Sequence, residues 1–294
     1  MRHVGHRPAK RGDRRRSRGD DRRGAAPVTA SPGHPLVRRE RRNGVSVITL
    51  DRPSRGNALV PDLLADLQTA LDQAAKEGGS LILTGNGKAF STGGDIAGFL
   101  EHAGSPDSLS DYAADLVGAL NRVILTLRRH PGTVIVAVNG PVTGGSLGLA
   151  LAADRILVSD TALVQPYYAV MGFAPDGGWT ALLPHRIGAA RAAGWIASDT
   201  RLHADDLLRI GFADRTCAPD ALMSAALAEA QDAAGLDPAI ILDARRLTAQ
   251  DAESLAPALE AERQAFLTHI VRPETLDRMR AFTAPKPEAR KCAS

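Results

Sequence analysis

Two glycine-rich turns, each entered from a short apolar strand, hold the residues in this 294-residue chain best suited to holding charge. The first runs Gly87-Lys-Ala-Phe-Ser-Thr-Gly-Gly-Asp-Ile96 behind Leu81-Ile-Leu83, and the second Val138-Asn-Gly-Pro-Val-Thr-Gly-Gly-Ser-Leu-Gly148 behind Val136-Ala-Val138. A strand that ends in a turn without side chains and runs into a helix leaves backbone N–H groups unpaired and aimed together, so developing negative charge can be held there. Two such turns can form an oxyanion hole. Glycine also serves plain tight connections, through positive φ or close packing, and either turn alone is compatible with that simpler role.

The elements that must position these turns are legible from periodicity. Val45-Ser-Val-Ile-Thr-Leu50 alternates as a strand, and Pro61 opens a helix with Leu63, Leu64, Leu67, Leu71 and Ala74 on one stripe. Ser108 or Ser110 is the expected cap of a helix carrying Tyr112, Leu116, Leu120, Val123, Ile124 and Leu127, which Pro131-Gly132 ends. Thr133 to Val138 reads as a buried central strand and Arg155-Ile-Leu-Val158 as the next one. Strands alternating with helices predict an α/β core over 36–218. From about Pro219 helical patterns take over, broken at Gly235-Leu-Asp-Pro238 and closing with Leu276, Met279 and Phe282, so 219–294 is expected to be a helical C-terminal region.

Composition narrows the function classes. The apolar content of 44% supports a large core, while 4% aromatics do not suit a nucleic-acid stacking surface. Cys217 and Cys292 are far apart and outside any metal-type spacing, and the eight histidines form no Ser-His-Asp or metal pattern. Residues 1–30 hold nine arginines and one lysine against three aspartates, which leaves 31–294 mildly acidic. Residues 1–35 therefore read as a disordered Arg-rich tail, expected to be a non-functional extension with initiation near Val28, in preference to a nucleic-acid arm or a transit peptide. No run approaches a membrane span and no signal-peptide core is present, which predicts a soluble, cytoplasmic protein without membrane or nucleic-acid partners.

Five segments in order resemble the crotonase, or enoyl-CoA hydratase/isomerase, superfamily: Asp51-Arg-Pro-Ser-Arg-Gly-Asn-Ala-Leu59, the two glycine turns, Gly172-Phe-Ala-Pro-Asp-Gly-Gly-Trp179 and Leu182-Leu-Pro-His-Arg-Ile-Gly188. The resemblance spans about Leu36 to Pro287. It implies a spiral of ββα repeats whose helical C-terminal region covers the active site and builds a homotrimer or a dimer of trimers. It also implies a coenzyme A thioester as substrate, with no cofactor beyond the coenzyme A that the substrate carries. Its oxyanion-hole amides fall on Gly94 and Gly145. The binding segments fall on Arg55 and Ala58, on Lys88, Ala89 and Phe90, and on Asp95, Ile96 and Tyr167, with Lys286 a further cation near the chain end. Asp95 also suits a helix cap.

The hydratases of this superfamily use two glutamates, and the matching positions here are Gly148 and Tyr168. Each general acid or base contributes about 10²–10⁴-fold, so the loss of both argues against standard water addition. Asp176 occupies the position at which several relatives carry their only catalytic acid, and one carboxylate suffices for a 1,3-proton shift. An aspartate ahead of Gly-Gly-Trp is equally a plausible helix N-cap. Tyr168 is a poor base, with an ordinary pKa near 10, but a fair hydrogen-bond donor. The resemblance therefore implies an enoyl-CoA isomerase with Asp176 as proton carrier. The alternatives are a hydratase-type lyase with a non-standard acid–base set and a non-catalytic CoA-binding protein.

Overall fold

The computed structural model describes residues 35–248 and 250–284, so residues 1–34 of the expected tail and Lys286 lie outside the described residues. β1 (Val37–Arg42) and β2 (Val45–Leu50) form a hairpin across Asn43-Gly44, both with positive φ, as a two-residue turn between twisted strands requires. β2 is followed by α1 (Pro61–Glu77), β3 (Leu81–Gly85), α2 (Ile96–Glu101), α3 (Pro106–Arg129) and β4 (Val134–Val138). The chain continues through the short β5 (Val142–Thr143), α4 (Leu147–Leu151), β6 (Arg155–Ser159), β7 (Leu163–Gln165) and α5 (Tyr168–Met171). After α6 (Leu183–Ile187), α7 (Ala189–Ser198), β8 (Leu202–His203), α8 (Ala204–Arg209) and β9 (Arg215–Cys217), the rest is helical: α9 (Leu222–Asp232), α10 (Pro238–Leu247), α11 (Ala252–Ile270) and α12 (Pro273–Thr283).

The main sheet has the order β1-β2-β3-β4-β6-β9 and is parallel except for the β1–β2 pair. Alternate residues face two different cores. Ile48, Leu50, Leu81, Leu83, Val134 and Val136 pack with α1, α3 and α4, whereas Val45, Val47, Ile82, Ile135 and Leu157 meet Leu222, Ala226 and Ala230 of α9. β2 is the strand expected over 45–50, and because α9 covers its second face both sets of its side chains are buried. β5, β7 and β8 make a second, three-stranded sheet.

α1 begins with Pro61 at its first turn and buries the whole expected stripe together with Ala70. The cap of α3 is Ser105, whose Oγ accepts from Ser108 N at 3.1 Å, and not Ser108 or Ser110. Pro106 explains the earlier start, because proline lacks the N–H that the first helical position leaves unpaired. α11 lies along α3, joined by the buried Asn121 Nδ2 donating to Leu259 O. No helix among the described residues is long and apolar enough to cross a membrane.

Candidate active site

The two glycine turns lie side by side. Thr143 N donates to Ser91 O at 3.2 Å, and Ser146 Oγ sits 2.8 Å from the Thr143 carbonyl and 3.0 Å from that of Ser91. In the first turn Leu59 N donates to Gly93 O and Leu59 O accepts from Asp95 N, a parallel bridge opposite Gly94. In such a bridge the middle residue turns its own N–H to the other side. In the second turn Gly145 lies in the single 3₁₀ turn Gly144–Ser146 that leads into α4, where the first amides of a helical segment lack intrahelical partners. Among the described residues, neither the Gly94 nor the Gly145 amide donates to a backbone carbonyl in the turns and loops. Both residues line one cavity of about 780 Å³, as do Ala58, Thr143, Tyr168 and Asp176. Its apolar wall comes from Phe99, Leu116, Leu120, Met171, Phe173 and Phe266.

Asp176 is buried, and its carboxylate faces Gly145 closely enough that a β-carbon there would lie 2.7 Å from both oxygens. Tyr168 Oη, also buried, donates to Asp176 Oδ1 at 2.6 Å. No helix starts behind Asp176: residues 177–182 form turns, and α6 begins only at Leu183. The capping alternative is thereby corrected, since the turn's amides are bound elsewhere. Gly178 N, Thr180 N and Ala181 N all donate to the carboxylate of Glu262 on α11. With the turn amides occupied, burial dominates and pushes Asp176 up to about 7; the Tyr168 hydrogen bond opposes the rise and the charge of Glu262 adds to it. Burial, then the neighbouring Asp176 charge, keeps the Tyr168 phenol protonated well above its ordinary range, so it serves as a donor.

The approach to Tyr168 is constrained. Tyr167 has φ +62°, unusual for a bulky residue, and Asp199 holds it there by accepting from Tyr167 N at 2.7 Å and Val170 N at 3.1 Å. The Tyr168 ring packs edge-on against Trp179, whose Nε1 donates to Gly144 O at 2.8 Å. The carboxylate, its donor and the second glycine turn are thus fastened to one another.

The profile of the enoyl-CoA hydratase/isomerase family matches residues 40–283. A probable enoyl-CoA hydratase of Mycobacterium tuberculosis is 36% identical over 233 residues, which is 75% of this chain and 78% of the relative. The chain belongs to the enoyl-CoA hydratase/isomerase family. A trans-2-decenoyl-[acyl-carrier-protein] isomerase of Streptococcus mutans is 33% identical, covering 61% of this chain and 68% of the relative. The crystal structure of an enoyl-CoA hydratase from Bacillus halodurans aligns with a TM-score of 0.77 at 25% identity, over 84% of this chain and 99% of that one. The α/β crotonase fold and an enzyme of this class follow.

Set against the family's residue pattern, Gly94, Gly145, Asp176, Tyr168, Arg55, Ala58, Asp95, Ile96 and Tyr167 all meet at the cavity. Lys88, Ala89 and Phe90 do not line it: the Phe90 ring is fully buried in the core, and Ala89 O accepts from Asn57 Nδ2. Asp95 caps α2 through Ala97 N at 3.2 Å and pairs with Arg52 at 2.8 Å and Arg55 at 3.0 Å. Burial works against its charge, but the two guanidiniums outweigh that and hold the carboxyl below its usual range. Two residues escaped sequence reasoning. Glu262 interrupts the buried stripe Leu255, Leu259, Phe266 and Ile270 on α11, a visible signal of a charge with a buried task. Asp199 gave no such signal, because its partners are backbone amides far away in the chain.

Proposed function

We propose that the protein is an enoyl-CoA isomerase that shifts a proton through an enolate of its thioester substrate, with Asp176 as the single proton carrier. The observation carrying this reading is one buried carboxylate, tuned to about 7 and directed at the second glycine turn of the cavity. A base whose pKa lies near working pH combines adequate ionisation with proton affinity. The thioester oxygen is held between the Gly94 and Gly145 amides. Asp176 takes a proton from C2, the C–H electron pair moves into the carbonyl system, and the oxygen becomes anionic. The proton then returns to C4 as the pair flows back, leaving the double bond conjugated at C2–C3. No water is consumed.

The position of the family's first hydratase glutamate supports the same reading. A β-carbon on Gly148 would lie 2.1 Å from Gly177 O and 2.6 Å from Ile124 Cδ1, so the turn that carries Asp176 fills the space a glutamate needs. The relatives' names include both hydratase and isomerase, and the site geometry favours the latter. Assembly as a trimer or a dimer of trimers belongs to the same proposal, and the exposed Leu236, Ile240 and Leu247 in and beside α10 are consistent with a covered face.

Incubation with a 3-enoyl-CoA tests the proposal: conjugated-thioester absorbance rises with time, and a flat trace with every chain length offered would refute it. Tyr168→Phe gives a finer check. The hydroxyl stabilises ionised Asp176, so its removal is expected to move the acid limb of the kcat profile to higher pH, lowering kcat by about tenfold at neutral pH with KM nearly unchanged. An unmoved limb would dissociate Tyr168 from the carrier.

A further inference from the structure

We propose that Glu262, on α11, is a positioning residue for the proton carrier: by gathering the amides that follow Asp176 it fixes the turn that presents this carboxylate to the cavity. The inference rests on the reading of Asp176 given above. Glu262 Oε2 accepts from Gly178 N at 2.7 Å, while Oε1 accepts from Thr180 N at 2.7 Å, Thr180 Oγ1 at 2.6 Å and Ala181 N at 3.0 Å. Four donors from one four-residue turn converge on one carboxylate, and among the described residues no lysine or arginine pairs with it. Burial pushes the Glu262 carboxyl above its ordinary value, and these four donors work against that rise by favouring the ionised form, much as successive N–H dipoles hold an anion in a backbone nest.

The geometry makes this more than general bracing. Gly177 and Gly178 both have positive φ, +64° and +86°, so the backbone beside Asp176 runs through conformations it would readily leave without an anchor. A β-carbon on Gly177 would lie 2.2 Å from Gly145 O, which shows how closely the anchored turn meets the second glycine turn. Glu262 therefore sets the distance between the carrier and that turn from a helix of the C-terminal region. It also acts through charge. The ionisable groups that bear on Asp176 are Tyr168 from α5 and Glu262 from α11, and the second of these opposes its ionisation. A brace without charge would hold the turn and leave the carrier's proton affinity alone.

The test compares Glu262→Gln with Asp176→Asn in the full chain, using 3-enoyl-CoA turnover across pH and thermal unfolding to confirm folded protein. Glutamine keeps one acceptor oxygen but sets an NH₂ where Gly178 N or the Thr180 and Ala181 amides need an acceptor. The expected result is a kcat reduced by about tenfold or more with KM within about threefold, and an acid limb displaced to lower pH because a negative charge has gone. Thr180→Val removes only one donor and is the milder variant should Glu262→Gln not fold; it is expected to lower kcat by a few-fold without altering KM. Turnover lost in Asp176→Asn but unchanged in rate and pH midpoint in Glu262→Gln would overturn the Glu262 inference alone, as would a slower Glu262→Gln enzyme whose acid limb stays in place. Undiminished turnover in Asp176→Asn would instead remove the carrier assignment, and this inference with it.

Discussion

Asp176→Asn is expected to lower kcat by about 10²–10⁴-fold while thioester affinity stays within a few-fold of the parent. Asparagine is nearly isosteric, and its amide oxygen can still accept from Tyr168 at the 2.6 Å contact, so the cavity wall is preserved while the base is lost. Isothermal titration with a non-reactive acyl-CoA separates binding from turnover; a parallel loss of both would mean a structural role. Stability should change in the opposite sense. The carboxyl titrates at about 7 when folded against an ordinary 3.8, so the folded chain holds this proton more tightly than the unfolded chain does. Its contribution to stability is complete below the ordinary value and is lost as pH rises through about 7. Asparagine never ionises. The unfolding temperature of Asp176→Asn relative to the parent should therefore climb across this window, as expected when a functional group is held in an unfavourable protonation state.

Substitution of Gly148 is expected to be the most damaging change outside the reacting groups. Its absent β-carbon is the space in which Gly177 O sits, and that obstacle is backbone, not a side chain able to swing away. Gly148→Ala should cost about 1–3 kcal/mol or more, seen as a fall of several degrees in unfolding temperature. It should also slow turnover, because relief of the clash pushes the turn of Asp176 away from Gly145. Gly148→Glu restores the hydratase residue in sequence without restoring its room. It is expected to be destabilised further and to gain no water-adding activity. A stable Gly148→Glu protein that hydrates a 2-enoyl-CoA would show that the turn yields, and that the divergence at this position is no barrier to hydration.

The parts of the fold legible in the sequence were those governed by local periodicity. The stripe of α1, the continuous apolar run of β4 and the glycine signatures each need only a few consecutive residues. β5, β7 and β8, with two or three residues each, carry no periodic signal and exist because neighbouring strands supply their hydrogen bonds. The double burial of β2 depends on α9, some 170 residues later, and no strand pattern announces that partner. At the site, position within the family pattern singled out Asp176, but its surroundings are tertiary: a phenol eight residues earlier and a carboxylate 86 residues later, whose hold on the turn amides leaves Asp176 to serve the cavity. The cap of α3 was readable in Ser105-Pro106, since proline favours the first helical position.

The enolate shuttle is tested most directly by carrying out turnover of a 3-enoyl-CoA in D₂O and following substrate and product by NMR. The expected result is a 2-enoyl-CoA product, with deuterium confined to C2 and C4 to the extent that the carrier exchanges with solvent, and with both product and label lost in Asp176→Asn. A 3-hydroxyacyl-CoA product, or substrate returned unchanged with no deuterium at C2, would contradict it.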